Sequence, residues 1–176
     1  MNHNRLVCFD LEMCCWSNDG VGTTGEIIEI GLAEIDIATG KIVKRAQYYV
    51  KPEQDEISLF CAELTGITPR KIEKQGRPLV DVLKSMLKNF GGPNKIYASW
   101  GRDDQILFNE CKGKGLEAPF SEFINLATLY RMQNRLKEKR IGHKAAQEAK
   151  DIEWEGRQHS GYVDAYNLAK LALTMF

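Results

Sequence analysis

The run Leu6-Val7-Cys8-Phe9-Asp10-Leu11-Glu12 constrains the fold more than any other part of the chain. Its apolar residues fall on both alternating faces, which predicts a strand covered from two sides in the middle of a sheet. Two carboxylates then follow two residues apart, so the pleat aims Asp10 and Glu12 to the same side. A buried carboxylate without a partner is costly. The pair therefore lies either just past the sheet edge, in water, or in a site that supplies compensating charge.

A second strand is expected from Glu26 to Ile37, closing on the alternation Glu34-Ile35-Asp36-Ile37 and turning at Ala38-Thr39-Gly40 into a hairpin partner over Lys41 to Val50. Lys51-Pro52 ends that strand, Ser58 is placed to cap a short helix, and Thr68-Pro69 reads as a helix start. Leu79, Leu83, Met86, Leu87 and Phe90 mark one helical face, ended by Gly91-Gly92-Pro93. Further on, the pattern predicts a strand over Lys95 to Trp100 and a helix over Asp104 to Lys112. A short strand over Ile124 to Leu126 leads into a helix to Leu136. Ala165, Leu168, Ala169, Ala172, Leu173 and Phe176 line a C-terminal helix. A meander of strands followed by strands alternating with helices implies an α/β domain on a mixed sheet.

At 176 residues and 43% hydrophobic content, the chain suits a single domain over residues 1–176 with a core of its own. Its five cysteines, Cys8, Cys14, Cys15, Cys61 and Cys111, are odd in number and contain no CxxC, which fits reduced packing residues better than disulfides or a zinc site. No stretch is long and apolar enough to span a membrane, and a cytoplasmic protein is expected. The 24 basic and 24 acidic residues cancel, so no global field draws the chain to a polyanion. Between Arg131 and Lys150, however, seven basic residues stand against Glu138 and Glu148, a local excess of five that otherwise reads as a solvated helical face.

Three further features bear on Asp10 and Glu12. Asp164 falls beside the apolar stripe of the last helix, five residues after His159. In ASWGRDDQILF, Asp103 or Asp104 opens a helix directly after a strand. Strand ends and helix starts converge at the carboxyl edge of α/β sheets, where sites commonly form. Each residue alone has a plain explanation, as a helix-dipole partner, an N-cap or a surface histidine. Together they would repel one another and raise their pKa values unless cations bind, and hard carboxylate oxygens suit Mg²⁺ or Mn²⁺.

The segments FDLEM, WGRDDQIL and HSGYVDA, in this order, resemble the three motifs of the DEDDh 3′-to-5′ exonucleases, DnaQ-like members of the ribonuclease-H-like superfamily. The H-x4-D spacing of the third motif marks the "h" class. GEIIEIGLAEIDIATGKIV and LTGIT look like the Eri-type 3′ exoribonuclease subgroup, and the resemblance covers nearly the whole chain. It implies a ribonuclease-H-like fold, with a central mixed β-sheet flanked by α-helices. It also implies Asp10, Glu12, Asp104 and Asp164 as ligands of two Mg²⁺ ions, replaceable by Mn²⁺, with His159 as general base. In relatives an aspartate directly follows the tryptophan of the second motif; here Gly101 takes that position. Asp104 is preferred because Leu107 and Phe108 follow at the inward-packing interval, with Asp103 as the alternative.

By position in the family, Phe60, Leu64 and Trp100 would sandwich the terminal base, and a backbone group near Met13 would meet the sugar. His143 is read as structural. The implied substrate is a single-stranded nucleic acid 3′ end, RNA favoured, and the implied product a nucleoside 5′-monophosphate. A DNA exonuclease and an oligoribonuclease are the alternatives within enzymes. A catalytically silent RNA-binding domain is the alternative of another class.

Overall fold

The computed structural model describes residues 4–17, 25–91, 95–138 and 140–176. Gly92 and Pro93, expected to help end a helix, and Lys139 of the basic segment lie outside the described residues. A five-stranded mixed sheet carries the molecule, with β1 (Arg5–Met13) at its centre. β2 (Ile27–Asp36) and β3 (Lys41–Tyr49) extend it antiparallel on one side. β4 (Ile96–Ser99) and β5 (Glu122–Asn125) extend it parallel on the other, giving the order β3-β2-β1-β4-β5. The central place of β1 follows from its two apolar faces: Val7, Phe9 and Leu11 enter one core and Leu6 and Cys8 the other.

The Val7 face is covered by α3 (Leu79–Phe90) and α4 (Asp103–Gly113), through Val82, Met86, Phe90 and Leu107. Of the stripe expected on α3, Leu87 is the exception: it is 40% exposed, and Val82 fills the core instead. The Leu6 face is covered by α5 (Leu126–Gln133), α6 (His143–Glu148) and α7 (Gly161–Ala172), through Leu126, Ala146, Leu168, Ala169 and Leu171. Two short helices, α1 (Leu59–Thr65) and α2 (Pro69–Gln75), pack with Ile28 and Tyr49 at the margin. Their starts follow the capping rules, since the Ser58 side chain accepts from the Cys61 N–H and that of Thr68 from the Lys71 N–H.

The alternation that sends Leu6 and Cys8 toward α7 sends Asp10 and Glu12 the same way. α7 can approach them because two glycines meet beneath it. Asp10 pairs with Gly31 across β1 and β2, and a Cβ on Gly31 would stand 1.9 Å from the Gly161 carbonyl oxygen. A Cβ on Gly161 would in turn stand 3.1 Å from the Asp10 carbonyl oxygen. The first turn of α7 thus rests on the bare backbone of the sheet centre.

Candidate active site

β1 delivers Asp10 and Glu12 to the carboxyl edge of the parallel strands, and the first turn of α7 delivers Asp164 to them. One carboxylate oxygen from each of the three lies within 4.8 Å of the others. Burial and mutual repulsion both act on this group. Burial, then the charges of Asp103, Asp164, Glu12 and Glu29, hold the Asp10 carboxyl well above the usual carboxylate range. Burial, then Asp164, Glu29 and Asp103, push Glu12 up to about 8. Asp164 is raised to about 7, mainly by burial, although the His159 and Ser160 N–H groups pull the other way.

The two aspartates of the second motif are placed differently. Asp103, in the first turn of α4, is the neighbour whose charge bears most on Asp10, and it also acts on Glu12. Its own carboxyl is raised to about 7 by burial, against the pull of the Ser99 hydroxyl. Asp104 lies one helical step round, 3.8 Å from Arg102 Nε, and its charge is not among those acting on Glu12. Its Oδ1 is nevertheless shut off from solvent with no hydrogen-bond partner among the described residues, as is Oδ1 of Asp164. Of the two, it is therefore Asp103 whose charge acts on Asp10 and Glu12, where the sequence favoured Asp104 with Asp103 as the alternative. A one-residue shift rotates a helical side chain by about 100°, and the expectation that Leu107 and Phe108 both pack inward fails: Leu107, four residues after Asp103, is buried, whereas Phe108, four after Asp104, is 48% exposed.

His159 is exposed and held at φ 59, the left-handed region, with its backbone N–H donating to Asp164 Oδ2 at 3.0 Å. The same loop carries Arg157, whose guanidinium donates to the carbonyls of Glu63 and Leu64 at the end of α1. The loop is thus tied at one point to the acid cluster and at another to α1.

Phe60 and Leu64 lie one turn apart on α1, so they share a face; Phe60 is 41% exposed and Leu64 half-buried. Trp100, the third residue expected at the base, has contacts of its own. It falls on the same face of the sheet as Ala98, where its ring meets Tyr130 and His143 and its indole N–H donates to the Ile141 carbonyl at 2.9 Å. His143 is half-buried between Trp100 and Trp154, and desolvation lowers its pKa to about 4, consistent with a structural part. Met13 follows a register shift at the end of β1, and its carbonyl accepts from the Cys61 thiol at 3.5 Å.

Glu29 is the residue that sequence reading missed. It stands opposite Glu12 in the sheet and is 1% exposed. Its Oε1 accepts from the Tyr162 N–H at 2.9 Å and from the Gln47 amide at 2.7 Å. It thereby satisfies an N-terminal donor of α7 from the neighbouring strand. The signal was available: a lone acid inside the apolar run IIEIGLA poses the same problem as Asp10 within β1.

The donor set fits a divalent cation. Several carboxylates converge, most of them raised by burial and mutual repulsion, and Asp164 presents one oxygen with no hydrogen-bond partner among the described residues. Hard oxygen ligands of this kind suit Mg²⁺ or Mn²⁺.

Such a cluster on the carboxyl edge of a mixed sheet, closed by the first turn of the last helix, defines the DEDDh class of nuclease folds. The chain belongs to the RNase T exonuclease family, whose model matches residues 7–172. It is 31% identical over 196 residues to the ERI1 exoribonuclease 2 of Xenopus laevis and to that of Homo sapiens. Each match takes in 97% of this chain and 28% of the relative, so the chain spans just over a quarter of their length. The 3′-5′ exonuclease Snipper of Drosophila melanogaster is 27% identical over 198 residues, covering 98% of this chain and 69% of that protein. Among solved structures, the nuclease domain of 3′hExo, a DEDDh family member bound to rAMP, superposes with a TM-score of 0.87 at 25% identity. That superposition covers 98% of this chain and 91% of the other.

Proposed function

We propose that residues 1–176 form one exonuclease domain that removes nucleotides singly from the 3′ ends of single-stranded RNA, releasing nucleoside 5′-monophosphates. The observation that carries this reading is the convergence of Asp10, Glu12 and Asp164 within 4.8 Å, with Asp103 beside them, at the edge of a sheet shared with 3′-to-5′ exonucleases. Asp10, Glu12, Asp164 and Asp103 would hold two Mg²⁺ ions, or Mn²⁺ in their place. Bound there, the ions would stabilise charge on the attacking and leaving oxygens of an in-line displacement at phosphorus. Asp103 takes the part first expected of Asp104.

His159 accepts the proton of the attacking water, the general-base part that a histidine side chain commonly plays. Asp164 fixes the loop that presents it, through the His159 N–H. Phe60 and Leu64 offer an exposed apolar face to the terminal base, and the backbone near Met13 is the candidate for the sugar. RNA is favoured over DNA because relatives carry the name exoribonuclease and the 3′hExo nuclease domain was solved with rAMP. A cytoplasmic setting belongs to the same proposal. It is supported by five cysteines that form no disulfide among the described residues.

The test is digestion of 5′-labelled RNA with Mg²⁺, Mn²⁺ or EDTA. A ladder shortening from the 3′ end, lost in EDTA, is the expected result. Unchanged cleavage in EDTA rejects the metal reading, and an intact substrate under all conditions favours a silent RNA-binding domain.

A further inference from the structure

Because β1, β4 and β5 run parallel, the ends of β4 and β5 lie on the same edge of the sheet as the acid cluster. Just beyond Ser99 and Asn125 this edge opens into a cleft of about 410 Å³. Three arginines line it, Arg102, Arg131 and Arg140, along with Trp100 and Thr128. At neutral pH every arginine is charged, so the cleft gathers three cations in a protein whose net charge is zero. Among the described residues one carboxylate partly answers them: Asp104 stands 3.8 Å from Arg102 Nε. Arg131 Nε is shut off from solvent and has no hydrogen-bond partner among the described residues, leaving a buried charged donor unanswered. Such a group is costly unless something accepts from it.

We infer that this arginine cleft is a phosphodiester-binding subsite, which holds the substrate strand upstream of the nucleotide being removed. The inference rests on the exonuclease reading and extends it to a part of the molecule that reading does not use. The chemistry is phosphate because guanidinium donors are arranged for planar, bidentate contact with phosphate oxygens. The ligand is a strand because the cleft continues the metal site along one edge, the segment 100–104 contributing to both. Neighbouring strands are spaced roughly 4.8 Å apart, so an ordinary strand at the metal site over β1 reaches the cleft over β4 and β5 within a few nucleotides. The side chain of Trp100 also borders the cleft, where an upstream base can meet it.

The experiment compares wild-type protein with Arg131→Gln, Arg140→Gln and the double variant, each first checked for an unchanged melting temperature. Binding of a labelled single-stranded RNA of about a dozen nucleotides is followed by anisotropy in Ca²⁺, from about 50 to about 200 mM salt. For the double variant, the slope of log affinity against log salt should fall by roughly 1.4, the worth of two phosphate contacts on a single strand. In Mg²⁺, KM for the same RNA should rise while turnover of a dinucleotide, too short to reach the cleft, stays at the wild-type value. An unchanged slope overturns the subsite, as does an equal loss on both substrates. If the variants instead weaken inhibition by a free nucleoside 5′-monophosphate while the slope holds, the cleft takes a mononucleotide and the strand assignment is wrong. If Arg131→Gln lowers the melting temperature, Arg140→Gln alone decides, with an expected slope change of roughly 0.7. Because binding is read without cleavage, a wild-type protein that binds with the full slope but cuts nothing would refute the exonuclease reading and leave the subsite standing.

Discussion

Glu12, with its carboxyl raised to about 8, and Asp103 and Asp164, raised to about 7, hold protons in the folded protein that the unfolded chain releases near pH 4. A raised folded pKa means that the native state binds more protons than the unfolded state across this window. Without metal, stability should therefore fall as pH rises from about 4 to about 8. A divalent cation binds the deprotonated carboxylates, so its stabilising effect should grow over the same window. Melting curves in EDTA and in millimolar Mg²⁺ test both trends, and a melting temperature that climbs with pH in EDTA would contradict the repulsion described here. Asp10→Asn should flatten both curves. For the second motif, Asp103→Asn should abolish Mg²⁺-dependent cleavage and Asp104→Asn should retain most of it; the reverse outcome would return the ligand role to Asp104. His159→Ala should lower turnover by roughly 10²- to 10⁴-fold with metal-dependent stabilisation intact, whereas near-normal turnover would remove it as the base.

At the scale of the elements, the helix α7 brings Asp164 to β1 only because Gly31 and Gly161 let backbone meet backbone. Gly31→Ala places a methyl group 1.9 Å from a carbonyl oxygen that cannot yield without moving the helix. It should destabilise the protein by about 1–3 kcal/mol or more in urea unfolding and weaken the Mg²⁺-dependent rise in melting temperature. Gly161→Ala, whose nearest contact is 3.1 Å, should be milder on both measures. Equal effects would mean that this close approach does not set the position of α7. The sheet was legible because its signals are local: two-sided apolarity in β1, alternation at the end of β2, and Gly40 in the left-handed region at the hairpin turn. The six-residue α6 was not, because HKAAQE offers only Ala145 and Ala146 as an apolar stripe. In the site, Asp10, Glu12 and Asp164 could be read from their apolar contexts. Choosing between Asp103 and Asp104, or seeing that Trp100 faces α5, needs the phase of a helix or strand start, which one residue reverses.

At the scale of the whole molecule, the sheet edge is divided into regions of different chemistry: carboxylates over β1, arginines over β4 and β5, and the half-exposed face of α1 opposite. On the proposed reading, a strand laid along this edge would meet positive charge before it meets the acids, and its last base would rest near Phe60 and Leu64. The His159 loop, tied to α1 through Arg157, links that helix to the acid cluster. Base stacking tolerates any sequence, whereas discrimination of RNA from DNA requires a contact with the 2′-hydroxyl. Matched RNA and DNA oligonucleotides of one sequence, each with a free and a blocked 3′ end, separate these contributions. RNA with a free end should be digested fastest. Alanine at Phe60 should weaken binding of both RNA and DNA by about 1–3 kcal/mol, the worth of one stacked base, and leave their ratio unchanged. Faster digestion of DNA would move the protein to the DNA-exonuclease alternative, and cutting of a blocked strand would reject end-directed attack, since a site built around a terminal base has no place for an internal one.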